Sequence, residues 1–345
     1  MAPDFHVHLA KQVGTALMAT QTTAPESAHP EGLELVSPKG EARGYVEPKR
    51  VGGRYALEDL WVMQGSVCDL KCTHCYTASS PTSNHLGQIA FAELRPHLDA
   101  AARFGVQKIY FTGGEVFVND EVLRGRAQTN EEFLRSLACA LEIAPVEILT
   151  NARRYIRNHY DALGRLRVTL ESPREAEHDA IRGQSTYAQT VETIQELQAM
   201  GLVPVITGER PFLSERNDEE IREHYQALFA RPVEVNLIEN VLEMGHQLVQ
   251  LSKEGRAPRP ETFVTTNCFS ILGKPAESLM CHFSRCIQKI DGALRYYPCP
   301  VIYDDARFEL GRTLEESFRR VYVAHKNCYD YCLQGRGATC RTRPI

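Results

Sequence analysis

Apolar and β-branched runs recur along the chain at 60–67, 107–112, 145–150, 166–170, 202–207 and 233–239, and the stretches between them carry helical spacing. Leu94, Leu98 and Ala101 fall on one helical face, as do Val191, Ile194 and Leu197. Asn130 stands ahead of Glu131 and Glu132 as a helix start. Gly105, Gly164 and Gly201 each follow a helical stretch, where a left-handed C-cap is expected. Six strand–helix units with continuously apolar strands predict an α/β fold, a parallel sheet with helices outside. Six units are too few for a full eightfold barrel. Functional groups in parallel sheets collect at the carboxyl ends of strands. The predicted strands end there in hydrogen-bonding side chains: Thr150-Asn151, Thr169 and Glu171, Glu209-Arg210, and Asn236 with Glu239.

The pattern fails at both ends. Residues 1–57 hold loop-like segments around Pro25 and Pro38, with His6 and His8 as surface histidines, and read as an N-terminal extension. The alternating region spans 58–255. A Pro-, Gly- and charge-rich linker, 252–262, closes it. Residues 262–345 form a small Cys-rich domain, with a hairpin turning at Asp291-Gly292 and a helix near 314–324.

Composition narrows the function. The chain has 345 residues and a net charge of −5, which gives no case for nucleic acid as a partner. No apolar run approaches the length of a membrane span, and no export signal is read at the N-terminus, so a cytoplasmic location is expected. Eleven cysteines are many for a reducing compartment, and their clustering points to metal ligation.

Three of those cysteines, Cys68, Cys72 and Cys75, stand at C-x3-C-x2-C spacing directly after the first strand. Short loops of this kind wrap three thiolates around one corner of an iron–sulfur cluster, leaving one iron open. A structural zinc knuckle is the alternative, but zinc sites usually offer four closed ligands. The second strand runs into Gly113-Gly114-Glu115.

The two motifs together resemble the radical SAM superfamily. That resemblance implies a partial (β/α)6 TIM-like barrel, a [4Fe-4S] cluster on Cys68, Cys72 and Cys75, and S-adenosylmethionine chelating the open iron. It implies reductive cleavage to a 5′-deoxyadenosyl radical that abstracts hydrogen, with electrons from a donor such as flavodoxin or ferredoxin. Gly113, Gly114 and Glu115 match the segment beside the methionine amino group. Thr150, Asn151 and Thr169 match cofactor-binding positions at strand ends. His74 stands where the family often carries another aromatic ring. Val116 departs from the usual proline. His178 to Gly183 resembles a segment that lies near the cofactor in peptide-modifying and molybdopterin-type members. Arg182 there reads either as a bidentate partner for a carboxylate or as a solvated helix-start arginine.

In the tail, Cys281, Cys286, Cys299, Cys328, Cys332 and Cys340 resemble the SPASM and twitch domains, which hold auxiliary [4Fe-4S] clusters. The last group has fewer cysteines than the full SPASM pattern. The expectation is one auxiliary cluster, with Cys281, Cys286 and Cys299 as its core and a partner from the last group. A structural zinc is the alternative. Cys139 reads as a buried small hydrophobe, and Cys268 is a candidate hydrogen donor to a product radical. The expected substrate is a polar small molecule of natural-product type. A peptide or protein maturase is the second reading, and a non-catalytic iron–sulfur or zinc scaffold the third.

Overall fold

The computed structural model describes residues 32–153, 165–214 and 217–334. His6, His8 and Cys340 lie outside them.

Eight strands make one sheet. Six come from the alternating region: β1 (Asp59–Met63), β2 (Lys108–Thr112), β3 (Val146–Thr150), β4 (Arg165–Thr169), β5 (Val205–Glu209) and β6 (Glu234–Ile238). The tail supplies β7 (Ser284–Ile290) and β8 (Ala293–Tyr297). The order is β8-β7-β1-β2-β3-β4-β5-β6. β1 to β7 run parallel, and β8 returns antiparallel on β7.

The six apolar runs predict the first six strands to within a few residues at each end. The two further strands have a physical cause. β1 would otherwise leave a row of unpaired backbone groups at the sheet edge, and β7 pairs with it from Ser284 opposite Asp59 to Ile287 opposite Val62. All five β1 residues are buried, as a strand covered on both faces and both edges should be. Trp61 and Tyr110, register partners on β1 and β2, stack with ring centroids 4.1 Å apart.

Seven helices bear on the argument: α1 (Phe91–Arg103), α2 (Glu131–Ile143), α3 (Glu175–Arg182), α4 (Thr186–Ala199), α5 (Asp218–Gln226), α6 (His246–Lys253) and α7 (Thr266–Ile271). Leu94, Leu98 and Ala101 of α1 are buried, as their spacing predicts. Asn130 caps α2, its side chain accepting from Phe133 N. A two-stranded ribbon, Tyr45–Val46 with Val321–Tyr322, ties the segment before the barrel to the tail. Among the described residues no helix is long and apolar enough to cross a membrane.

Candidate functional site

The loop after β1 carries Cys68, Cys72 and Cys75 around one small enclosure. Cys68 and Cys72 are nearly buried. Backbone amides turn toward sulfur: Leu70 N–H donates to Cys68 Sγ at 3.4 Å and Ser79 N–H to Cys75 Sγ at 3.4 Å. Burial, with Asp69 and Glu115 nearby, raises the Cys68 thiol well above its ordinary value. A bound cation would reverse that balance, since metals take the thiolate.

The end of β2 is pressed against this loop. Gly114 N–H donates to Gly65 O at 2.8 Å and Glu115 N–H to Val67 O at 3.0 Å. A Cβ on Gly113 (φ +128°) would stand 2.5 Å from Gly65 O, and one on Gly114 only 2.0 Å from Val67 O. Both positions therefore need glycine.

Glu115 is buried and turned away from the enclosure toward β3. Thr150 Oγ1 donates to one carboxylate oxygen at 2.8 Å and Asn151 N–H to the other at 2.8 Å. Burial, and then Asp69, pushes its carboxyl up to about 7. The Asn151 side chain donates to Asp69 Oδ1 at 2.8 Å, and Arg153 pairs with Asp69 Oδ2 at 2.9 Å. The ends of β2 and β3 are thus fastened to each other and to the cysteine loop.

A cavity of about 220 Å³ opens over the three thiols. Gly113, Gly114, Thr150, Asn151, Thr169 and Arg182 line its barrel side. Pro300, Val301 and Tyr331 of the tail line another side. That wall has no local sequence signal, because tail and barrel residues are far apart in the chain. Cys268 is not among the lining residues. Its sulfur lies in the first turn of α7, 3.4 Å from Thr265 N. Arg210, expected at the mouth, pairs with Asp218 and, at 3.2 Å, with Glu239.

His74 meets two carboxylates in the cavity wall. Its Nε2 lies 3.3 Å from Glu171 and 3.3 Å from Glu209. Arg182 Nε is 3.5 Å from Glu171, and Arg182 Nη1 donates to Thr169 O at 2.9 Å. Burial opposes charge on His74, but Glu209 and Glu171 outweigh it and raise its pKa well above the ordinary value. His74 and Arg182 thus face Glu171 and Glu209, and the group cross-links the cysteine loop to the ends of β4 and β5.

Two residues outside the predicted site, Gly245 and His246, hold the loop from outside. His246 at the start of α6 donates its backbone N–H to Cys75 O at 2.9 Å, and its Nδ1 lies 2.8 Å from Cys72 O. A Cβ on Gly245 (φ +57°) would meet the carbonyls of Cys75 and Tyr76 at 2.3 Å.

The tail thiols form a second group. Cys281, Cys299, Cys328 and Cys332 act on one another electrostatically, and burial raises each of them, Cys281 and Cys332 to about 12. Cys286, expected in the core of this group, stands apart. Burial is the cause of its raised pKa, and its neighbour is Tyr76 of the cysteine loop. Successive strand residues face opposite ways, and on β7 it is Arg285 that turns toward Cys281 and Cys299.

Among the described residues no three thiols come within 4.8 Å of one another. Four sulfurs around one zinc would sit about 3.8 Å apart, given a Zn–S bond of about 2.3 Å.

Residues 64–228 match the family model of the Radical SAM superfamily. The chain carries a radical SAM domain. Its first three motif cysteines, the Gly-Gly-Glu segment and the strand ends of β2 to β5 all lie within the match. Members of the superfamily use a [4Fe-4S] cluster with S-adenosylmethionine.

Curated relatives include the antilisterial bacteriocin subtilosin biosynthesis protein AlbA of Bacillus subtilis, 29% identical over 142 residues, which are 39% of this chain and 29% of AlbA. GTP 3′,8-cyclase of Listeria monocytogenes is 24% identical over 185 residues, 52% of each protein. The chain thus spans between about a third and a half of the length of these relatives. In overall fold it resembles Streptococcus suis SuiB bound to S-adenosylmethionine, with TM-score 0.51 and 13% identity over 74% of this chain and 63% of that one. SuiB bound to its precursor peptide SuiA is equally similar, with TM-score 0.51 and 11% identity over 76% and 65%.

Proposed function

We propose that this protein is a radical SAM enzyme in which Cys68, Cys72 and Cys75 hold a [4Fe-4S] cluster that binds S-adenosylmethionine. The observation that carries the reading is the cavity itself. It opens on three thiols of one loop, with the backbone of Gly113 and Gly114 pressed against that loop where a Cβ cannot fit. When bound, the cluster and cofactor supply a 5′-deoxyadenosyl radical for hydrogen abstraction.

The chain's own residues bind and orient. Asn151, Thr150 and Thr169 offer hydrogen-bonding groups at the ends of β3 and β4, and Arg182 offers a guanidinium for a carboxylate. His74 anchors the loop to Glu171 and Glu209. Glu115 serves chiefly as the clamp between β2 and β3, because both its oxygens accept from the end of β3. A flavodoxin- or ferredoxin-like donor would supply electrons.

The substrate reading is a polar small molecule. The barrel side of the cavity carries Arg167, Glu171, Arg182 and Glu209, with Asn236 and Asn240. A peptide substrate is the second reading, favoured by the relation to AlbA and by the likeness in fold to the SuiB–SuiA complex. The tail group Cys281, Cys299, Cys328 and Cys332 would hold an auxiliary [4Fe-4S] cluster, with structural zinc as the alternative.

Electron paramagnetic resonance of the anaerobically reconstituted, reduced protein tests the cofactor assignment. The account expects a cluster signal whose g-values shift when S-adenosylmethionine is added, and the same sample lacking that response in the C68A/C72A/C75A variant. A native signal indifferent to the cofactor would contradict it.

A further inference from the structure

Arg285 is 1% exposed on β7, inside the tail. Its guanidinium donates only to neutral carbonyls: Nε to Ser317 O at 2.9 Å, Nη1 to Cys281 O at 2.8 Å and to Ser284 O at 2.5 Å. Its Nη2 is buried with no hydrogen-bond partner, and the ring of Phe318 lies 5.4 Å from the guanidinium carbon. No carboxylate among the described residues pairs with it.

A buried charge without a counter-charge is costly, and buried arginines are ordinarily paired. The acidic groups that act on Arg285 are Cys281 and Cys299, and more weakly the Tyr55 hydroxyl. The missing anion therefore has an evident source. Thiolates carrying a metal centre bring negative charge to the place where the arginine has none.

We propose that Arg285 is the buried counter-cation of the tail metal centre, and that it sets how readily that centre accepts an electron. The inference rests on the tail-centre reading given above. A fixed positive charge stabilises the reduced, more negative form of a cluster. Arg285 also fixes the geometry, because the same guanidinium that faces the centre holds the carbonyl of Cys281. It is a positioning and tuning residue. The substrate cavity does not include it.

The test is a redox titration of the full-length, anaerobically reconstituted protein, followed by electron paramagnetic resonance. The signal that responds to S-adenosylmethionine marks the barrel cluster, and the other marks the tail. Native protein is compared with R285K, which keeps the charge, and R285Q, which keeps a donor without it. The expected result is a tail potential moved to more negative values in R285Q, near native in R285K, with the barrel signal unchanged in both. Loss of tail iron from R285Q with retention in R285K supports the proposal equally. Equal potentials in all three proteins overturn it. So does R285K behaving like R285Q in potential or in iron loss, because the guanidinium would then act through hydrogen-bond shape. A native protein with no tail iron overturns the tail-centre reading and this inference together.

Discussion

Both oxygens of Glu115 accept hydrogen bonds from the end of β3, so removal and neutralisation of that carboxylate should have different consequences. In E115A the Asn151 amide and the Thr150 hydroxyl lose their acceptor inside the protein, which costs about 1–3 kcal/mol. In E115Q the amide oxygen can still accept from Asn151 N–H, while the amide nitrogen donates to Thr150 Oγ1. Chemical denaturation should place E115Q within about 0.5 kcal/mol of native and E115A well below it. Equal losses in both variants would show that the charge itself matters there. The cysteine spacing and the Gly-Gly-Glu segment were legible in the sequence because each is a local pattern whose chemistry follows from residue type. Arg285 and His246 were not. His246 reaches Cys72 across 174 positions, and Arg285 reaches Ser317 across 32, so nothing near them in the chain announces the contact.

The turn from β4 into α3 is held by His178, whose Nδ1 accepts from the backbone N–H of Glu171 at 3.2 Å. Burial, and then the Arg182 charge, lower the His178 pKa to about 4. The folded state therefore favours the neutral ring, while the unfolded chain takes up its proton near pH 6.5. Above pH 6.5 the stabilisation is fully present, and it is lost progressively as the pH falls from 6.5 toward 4. Between pH 7 and pH 5 the loss should be about 2 kcal/mol. Urea unfolding of native protein and H178Q at the two pH values measures it. The difference should shrink in H178Q, and an undiminished pH dependence would place its origin elsewhere. At this scale the sequence was informative about which elements form. The six strands follow from continuous apolar runs, and the α1 face from its spacing. Asp179 explains part of the motif that resemblance could only point to. Its carboxylate accepts from Ser185 N at 2.7 Å and Tyr187 N at 2.9 Å, fixing the α3–α4 junction.

At the scale of the whole molecule, the tail completes the barrel in two ways. Its hairpin covers the β1 edge, and the segments after Cys299 and around Tyr331 wall the cavity that opens on Cys68, Cys72 and Cys75. The linker composition signalled a change of character near 252–262, but it carried no sign that the following strand would join the barrel sheet. Strand pairing between distant segments depends on edges and register, which single-sequence patterns do not encode. The cavity opens on the first thiol group, and its tail wall, Pro300, Val301 and Tyr331, adjoins Cys299 and Cys332 in the chain, so initiation should depend on the first group and be separable from the second. The most direct measurement is 5′-deoxyadenosine release from S-adenosylmethionine by the reduced, reconstituted protein, native against C68A/C72A/C75A, with iron counted in both. The account predicts release by the native protein and none by the variant, which should retain about four irons per chain in the tail. Release by the variant at the native rate would contradict it.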